Sequence, residues 1–317
     1  MTPRTDASRG LVGAGLIALA AVCFGTLGPL SRFAEDAGVD SLGLATWRAG
    51  LGAAVIALFI GARLAAGMAR SVRLRDIPVR DRWFMAGAAL ANAILNLSVF
   101  IAFTRISIAL ALLVFYLYPA IVAVVSVIWF GERLDRLRWG ALAVSLSGLV
   151  LVLAGDPAGV GALDALGIGL AFVGGLGQVF YVLAARHGFG YVPGPQAAAL
   201  TMSGALTIYL VVALLGGSVA TLAAPLQSVD AMWPVVVAGV IGAGIPTVAY
   251  IVGVRMLGPS RAAIMATLEP VVGVLLAAVL LAEQPTPVQV VGGSLILVAA
   301  ALLQLRSGPA AEHEAVA

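Results

Sequence analysis

Long apolar runs, separated only by short charged or Gly/Pro-rich breaks, are the feature that most constrains how this sequence can fold. A helix needs about 20 predominantly apolar residues to cross a bilayer, whereas the strands of a membrane β-barrel read as alternating segments of about ten residues. The runs are nearly unbroken, and they therefore predict spanning helices. We place ten of them, at residues 11–30, 42–62, 83–103, 108–130, 138–154, 164–185, 196–216, 233–254, 261–281 and 287–305.

The composition excludes a water-soluble globule. Charged residues make up 10% of the 317 residues and hydrophobic residues 62%, whereas a soluble domain carries about 25% charged residues. Because so little of the chain would stay solvated, disorder is excluded as well. Arg4 and Arg9 precede the first run as in a signal peptide, but its apolar core is longer than most signal peptides carry. We therefore keep it as a spanning helix and predict an all-α polytopic membrane protein.

The arginines predict the orientation in the membrane. All 18 basic residues are arginine, and the cytoplasmic loops of membrane proteins carry an excess of arginine. With the N-terminus inside, 15 arginines fall on the inner side and two, Arg32 and Arg105, on the outer side, while Arg48 lies within a run. Both termini are therefore predicted to be cytoplasmic, in a bacterial-type inner membrane.

The two halves of the chain repeat each other. Pro119 and Pro270 lie 151 positions apart, and so do Glu132 and Glu283. Five runs per half invert the second half relative to the membrane, and the arginine-rich turn after Glu132 has an arginine-free counterpart after Glu283. Inverted repeats are the architecture of many secondary transporters. The predicted domains are a cytoplasmic N-terminal tail at 1–10, a first five-helix repeat at 11–154, an outside linker at 155–163, a second five-helix repeat at 164–305 and a cytoplasmic C-terminal tail at 306–317.

One set of features resembles the drug/metabolite transporter superfamily, and within it the ten-helix EamA-type exporters. These features are the proline-centred fourth run, the Gly-Glu-Arg-Leu turn at 131–134, the following Gly140 and Gly148, and Arg48 in the second run. The second turn departs from the pattern, because Ala282-Glu-Gln-Pro replaces Gly-Glu-Arg, which favours a structural role for the turn. The resemblance covers about residues 11–305. It implies two five-helix halves, a central cavity, and export of amino acids or other small metabolites without ATP.

Two charges lie within the predicted membrane helices, where charged groups are costly. Glu269 lies eight residues into the ninth run, roughly 12 Å deep. It is expected either to bind a proton or a substrate ammonium group, or to be a buried, hydrogen-bonded carboxyl. Arg48, near the start of the second run, either holds a substrate carboxylate by two hydrogen bonds or serves a structural role, which we favour.

Polar and aromatic side chains on shared helix faces are the candidates for a substrate cavity. Asn92 and Asn96 lie four residues apart, with Phe100 on the same face, and they either line the cavity or bond neighbouring helices. Gln178 and Tyr181 share a face of the sixth run. The further cavity candidates are Phe24, Tyr116, Tyr118, Thr247 and Tyr250, and the hinge candidates are Pro119, Gly244, Pro246 and Pro270.

Other classes of function lack the residues they need. The sequence has no lysine and so no P-loop, and it has no nucleophile–base motif, second membrane carboxylate or histidine cluster that would indicate an enzyme or a metal site. One glutamate and one arginine are also few for the lining of a channel. We predict a secondary exporter without a cofactor, with neutral or aromatic amino acids as the leading substrates. Drug-like cations, nucleosides, sugars and a passive channel stay as alternatives.

The expected partners follow from the same reasoning. They are the lipid bilayer, a small-molecule substrate and, where transport is proton-coupled, protons. Nucleic acid is not expected, because the excess of arginine is explained by topology. The sequence is compatible with both a monomer and a homodimer.

Overall fold

A computed structural model describes residues 3–68, 71–106, 108–132, 134–154, 164–280 and 285–305, and no strand occurs among them. The helices are α1 Pro3–Gly25, α2 Leu27–Asp36, α3 Ser41–Ala65, α4 Val79–Arg105, α5 Ile108–Phe115, α6 Tyr118–Phe130, α7 Arg136–Ala154, α8 Ala165–His187, α9 Gly194–Leu215, α10 Val229–Gly239, α11 Ile245–Leu257, α12 Pro259–Ala266, α13 Leu268–Leu280 and α14 Pro287–Leu305. Short 3₁₀ helices lie at Leu74–Asp76 and Val219–Leu226, and a π-helical turn at Val240–Gly244 joins α10 to α11.

The prediction of a multi-pass, all-helical membrane protein is confirmed. Within the described residues, seven stretches are long and apolar enough to cross a membrane, namely Gly10–Asp36, Ser41–Ala65, Val79–Arg105, Leu110–Phe130, Ala165–His187, Gly194–Leu215 and Val229–Leu257. Helices also occupy the three other predicted runs, as α7, as α12 with α13, and as α14. The total of ten spans, the domain boundaries and the side on which the termini lie stay predictions.

The structure describes most of the predicted N-terminal tail but neither the predicted linker nor the predicted C-terminal tail. Helix α1 begins at Pro3, so residues 3–10 of the predicted N-terminal tail are helical. The linker at 155–163 and the C-terminal tail at 306–317 lie outside the described residues.

Three of the predicted runs are interrupted, and a fourth contains a π-helical turn. A proline has no N–H and clashes with the carbonyl of the residue four positions before it, so an α-helical hydrogen bond is lost there. Four positions before Pro29, Pro119 and Pro270 are Gly25, Phe115 and Ala266, which are the last residues of α1, α5 and α12. Four positions before Pro246 is Gly242, in the middle of the π-helical turn. The interruptions are therefore set by proline positions.

Loops of the two halves meet at two separate ends of the helix bundle. At one end, the Trp47 indole donates to the Leu222 carbonyl at 2.8 Å, and Arg105 pairs with Asp164 at 2.7 Å. We call this the outer end, after the predicted topology. The backbone N–H of Leu166 and the Arg105 guanidinium stabilise the Asp164 carboxylate and lower its pKa below the ordinary value.

The other end, called the inner end, is joined by different loops. The Gln196 amide and the backbone of Val72 exchange two hydrogen bonds, of 2.5 and 2.9 Å. Arg255 donates to the carbonyls of Ala185, Val192 and Phe189 at 3.1, 2.7 and 2.9 Å.

Glycines allow the two halves to pack closely. A Cβ atom at Gly148 of α7 would lie 2.6 Å from the Gly292 carbonyl oxygen of α14, and one at Gly292 would lie 2.5 Å from the Gly148 oxygen. A Cβ at Gly25 would lie 3.0 Å from the Glu269 carbonyl oxygen, and one at Gly175 would lie 3.0 Å from the Phe115 carbonyl oxygen. Each half therefore places a glycine against a helix interruption of the other half.

Candidate functional site

Glu269 stands at the interruption between α12 and α13, in the first turn of α13. Its side chain is half-buried, and the hydroxyl of Tyr116 faces it closely enough to interact with its carboxylate. That hydroxyl is fully buried, and none of the described residues has hydrogen-bond geometry with it. Tyr116 and Glu269 thus place a hydroxyl and a carboxylate next to each other at a helix interruption.

Three tyrosines lie near this carboxylate, one between α5 and α6, one on α6 and one on α11. The ring of Tyr116 lies 5.7 Å from that of Tyr118, and the Tyr118 and Tyr250 hydroxyls lie within electrostatic reach of Glu269. The Gln178 amide donates to the Tyr250 hydroxyl at 3.1 Å, and Phe24 packs edge-on to the Tyr250 ring at 6.3 Å. The fold thus brings Phe24, Tyr116, Tyr118, Gln178, Tyr250 and Glu269 together, from both halves of the chain. We call these six residues the central cluster.

Arg48 is buried, with 7% of its surface exposed, and its hydrogen bonds go to the protein. Nε and Nη2 donate to the Gly242 carbonyl at 3.2 and 3.0 Å, and Nη1 donates to Asn96 Oδ1. In an α-helix the N–H of residue 246 would donate to the Gly242 carbonyl, but residue 246 is a proline and has no N–H. Arg48 of α3 therefore supplies donors to a carbonyl freed by Pro246, across the two halves.

The positive charge of Arg48 is stabilised by the dipoles of the Gly242 carbonyl and the Asn96 amide and by the Phe100 ring. No carboxylate lies within ion-pair distance of the guanidinium in the described part of the chain, and Glu269 acts on it only at longer range. The Phe100 ring centroid lies 6.0 Å from Arg48 Cζ. Three of the five N–H groups of arginine are used, which makes the structural role the one that these contacts support.

Asn92 and Asn96 are bonded to the protein too. The Asn96 amide donates to Asn92 Oδ1 at 2.6 Å and to the Asn92 carbonyl at 2.7 Å, while Asn96 Oδ1 accepts from Arg48. The Tyr209 hydroxyl, from α9, donates to the Ala93 carbonyl at 3.2 Å. Of the two roles expected for the asparagines, these contacts support bonding between and within helices. Tyr209, a buried tyrosine in an apolar run, was not among the sequence candidates.

The remaining candidates lie outside the central cluster. Tyr181 of α8 is buried, and its hydroxyl has no hydrogen-bond partner among the described residues. Thr247 is buried on α11, three residues before Tyr250. Pro119, Pro246 and Pro270 lie in the first turn of α6, α11 and α13, directly after the interruptions, and Gly244 is the last residue of the π-helical turn.

A cavity of about 520 Å³ lies at the outer end, between α2, α3 and α4. Its lining residues are Ser31, Glu35, Gly38, Val39, Asp40, Ser41, Leu42, Leu44, Leu97, Phe100, Ile101, Phe103 and Thr104. Phe100 is the one sequence candidate among them, and its ring centroid lies 6.0 Å from Arg48 Cζ. We call it the outer cavity.

At the inner end, a polar contact joins the two halves. Ser260, fully buried at the start of α12, donates to Glu132 Oε2 at 2.8 Å, and Glu132 Oε1 lies 3.8 Å from Arg138 Nη1. Sequence reasoning favoured a structural role for the turn that contains Glu132 but did not single out its partner. The sequence feature that could have indicated this partner was a serine directly after Gly258-Pro259, close to the start of the ninth run.

The sequence matches the model of a known protein family. The model of the EamA-like transporter family matches residues 11–154 and 165–305, which is nearly the whole chain. The chain belongs to the EamA-like transporter family. This confirms the resemblance seen in the sequence and makes the protein a multi-pass membrane transporter of small molecules, in a family that is not enzymatic in general.

The fold of this chain is also found in a solved structure. One protein of known crystal structure has a TM-score of 0.75 and 22% identity, and the match covers 95% of this chain and 97% of that chain. At this identity the similarity concerns the fold alone. No curated protein matches the sequence.

Proposed function

We propose that the protein is a secondary transporter that exports small metabolites, with neutral and aromatic amino acids as the leading substrates, across the inner membrane by alternating access. The observation that carries the proposal is the position of Glu269 at a helix interruption, facing the buried hydroxyl of Tyr116 in a cluster whose aromatic residues come from both halves. Interrupted helices at the interface of inverted repeats are typical of transporter binding sites.

The central cluster suits an amine with an apolar body. The Glu269 carboxylate is expected to bind the ammonium group of a substrate, or a proton when the substrate has left. The rings of Tyr118, Tyr250 and Phe24 provide a surface for an aromatic or aliphatic side chain. We assign Arg48 to the framework rather than to the substrate, because its donors are directed to Gly242 and Asn96.

Alternating access is supported by a contact that closes the inner end. There, Ser260 of one half donates to Glu132 of the other at 2.8 Å. Such a contact between the halves is expected of a conformation that does not face inward. With the N-terminus and C-terminus inside, substrate would enter after the Glu132–Ser260 contact opens.

Transport by purified protein in liposomes tests the proposal. Neutral and aromatic amino acids should move faster than in protein-free liposomes, and Glu269→Gln should reduce transport and change its response to a pH gradient. Asp230→Asn, which removes an exposed carboxylate from the first turn of α10, is the matched control and should behave as wild type. A panel that includes nucleosides, sugars and organic cations identifies another substrate class if amino acids do not move.

Topology is tested separately in intact cells. The native thiol, Cys23, is buried and can be replaced by serine. A cysteine introduced at Arg75, in the 64–80 loop, should then resist a membrane-impermeant thiol reagent, and one at Asp40 should react with it. The reverse pattern would contradict the predicted orientation.

A further inference from the structure

We propose that the outer cavity is a second binding site, which takes an organic ammonium ion with an apolar or aromatic body from the outer side. Its volume of about 520 Å³ lies within the roughly 300–1,000 Å³ that small-molecule sites occupy. The site is distinct from the central cluster, with which it shares no residue. It goes beyond the proposed function, since binding there requires no transport.

The polar groups of the outer cavity are acceptors. Glu35 and Asp40 are the charged residues of the lining, which contains no cationic side chain. Asp40 Oδ1 accepts the N–H of Gly43 at 2.6 Å and caps α3, whereas the Glu35 carboxylate has no hydrogen-bond or ion-pair partner in the described part of the chain. Glu35 is therefore the carboxylate available to a ligand.

The hydroxyl groups of Ser31 and Thr104 also make the cavity suited to a ligand that donates hydrogen bonds. Ser31 donates its proton to the Gly28 carbonyl at 2.8 Å, and Thr104 donates to the Ile101 carbonyl at 2.8 Å. With their protons engaged, both oxygens offer lone pairs to the cavity. A ligand that enters this site satisfies its polar surroundings only if it brings N–H or O–H donors, and the two carboxylates favour a positive charge.

The floor of the cavity fixes the orientation of the ligand. Leu97, Phe100 and Phe103 of α4 form an apolar wall, and the Phe100 and Phe103 rings lie 6.4 Å apart. The Arg48 guanidinium carbon lies 6.0 Å from the Phe100 ring centroid, and its positive charge disfavours a cation against this wall. The ammonium group therefore stays at the rim beside Glu35, and the apolar body lies against Phe100.

Calorimetry on the full chain in nanodiscs of zwitterionic lipid tests this site. The probes are 2-phenylethylammonium, its neutral analogue 2-phenylethanol and the anion 3-phenylpropanoate. The ammonium probe should bind tightest and the anion weakest. Glu35→Gln should weaken the ammonium probe by about fivefold, the effect of one partly exposed ion pair, and leave the alcohol unchanged.

Three variants keep the result interpretable. Asp36→Asn removes the same charge from the next residue of α2, which does not line the cavity, and should leave binding unchanged. Thr104→Phe fills the cavity from an exposed position and should weaken both the ammonium probe and the alcohol. Glu269→Gln removes the carboxylate of the central cluster and should leave the Glu35-dependent part of the ammonium binding in place. The proposal is overturned if the alcohol binds as tightly as the ammonium probe, if Asp36→Asn matches Glu35→Gln, or if Glu269→Gln abolishes binding.

Failure of this site and failure of the proposed function are distinguishable. If the ammonium probe does not bind while amino acids are transported, the second site is wrong and the transporter stands. If the probe binds with the expected pattern while no metabolite moves, the outer cavity is a ligand site in a protein whose transport function has to be reconsidered.

Discussion

Replacing Arg48 by methionine tests whether this side chain makes up for the hydrogen bond that Pro246 cannot give. The substitution removes two bonds to the Gly242 carbonyl and one to Asn96. Hydrogen bonds between membrane helices contribute about 0.6 kcal/mol on average and up to about 1.7 kcal/mol, so three of them amount to roughly 2–5 kcal/mol. Methionine also removes a buried charge, which offsets part of the loss. We expect the free energy of unfolding to fall by about 2 kcal/mol.

Pro246→Ala isolates the part of this effect that comes from the Gly242 carbonyl. Alanine at 246 restores an N–H four residues after Gly242, so that carbonyl keeps a donor when Arg48 is lost. The cost of Arg48→Met should therefore be about 1 kcal/mol smaller in the Pro246→Ala background, which is the net contribution of one hydrogen bond.

Unfolding in mixed micelles, followed by tryptophan fluorescence, measures all four proteins of this double-mutant cycle. Arg48→Lys serves as the control, because it keeps a positive charge but cannot form the paired bonds of a guanidinium. If Arg48→Met costs the same with proline and with alanine at 246, Arg48 does not replace the missing donor and the reasoning is wrong.

Three further predictions follow from contacts between and at the ends of the helices. Gly292→Ala should destabilise the protein by about 1–3 kcal/mol, because its Cβ would lie 2.5 Å from the Gly148 oxygen, whereas the neighbouring Gly293→Ala, with 3.4 Å to Val271, should be nearly neutral in the same unfolding assay. Ser260→Ala should increase the reactivity of an inner-end cysteine introduced at Ala262, which is fully buried; equal reactivity before and after would show that the Glu132–Ser260 bond does not hold the inner end closed. Because its pKa is lowered in the folded state, the Asp164 carboxylate stabilises the protein above its unfolded pKa and loses this effect as pH falls through the folded pKa. The stability of wild type and of Asp164→Asn should therefore differ at neutral pH and converge only below the usual range of an aspartate, and a constant difference across that range would contradict the assignment.

The helices could be read from the sequence, and so could most of their interruptions. Pro119, Pro246 and Pro270 were recognised as hinge candidates, and a helix interruption or a π-helical turn directly precedes each of them. The interruption at Thr26 was missed, although Pro29 carries the same signal, because the apolar run continues through it without a charged residue. A hydropathy pattern reports where a chain can cross the membrane, and it does not report which carbonyl has lost its donor.

The site was predictable as a set of residues but not as a set of contacts. Glu269 and the tyrosines were recognised because polar groups are costly within apolar membrane helices and therefore indicate a functional or structural role. That Arg48 meets Gly242, 194 positions away, depends on how the halves pack, and one sequence carries no information on that pairing. The same holds for the partners Glu132 and Ser260, which are ordinary loop residues until the fold joins them.

The two glycines that lie against helix interruptions have a mechanical consequence. Gly25 of the first half touches the backbone beside Glu269, and Gly175 of the second half touches the carbonyl that Pro119 leaves free. Because neither glycine has a side chain that could yield, we expect a bend at either interruption to shift the adjacent helix of the opposite half. Movement of one half would then be transmitted to the other through these two contacts.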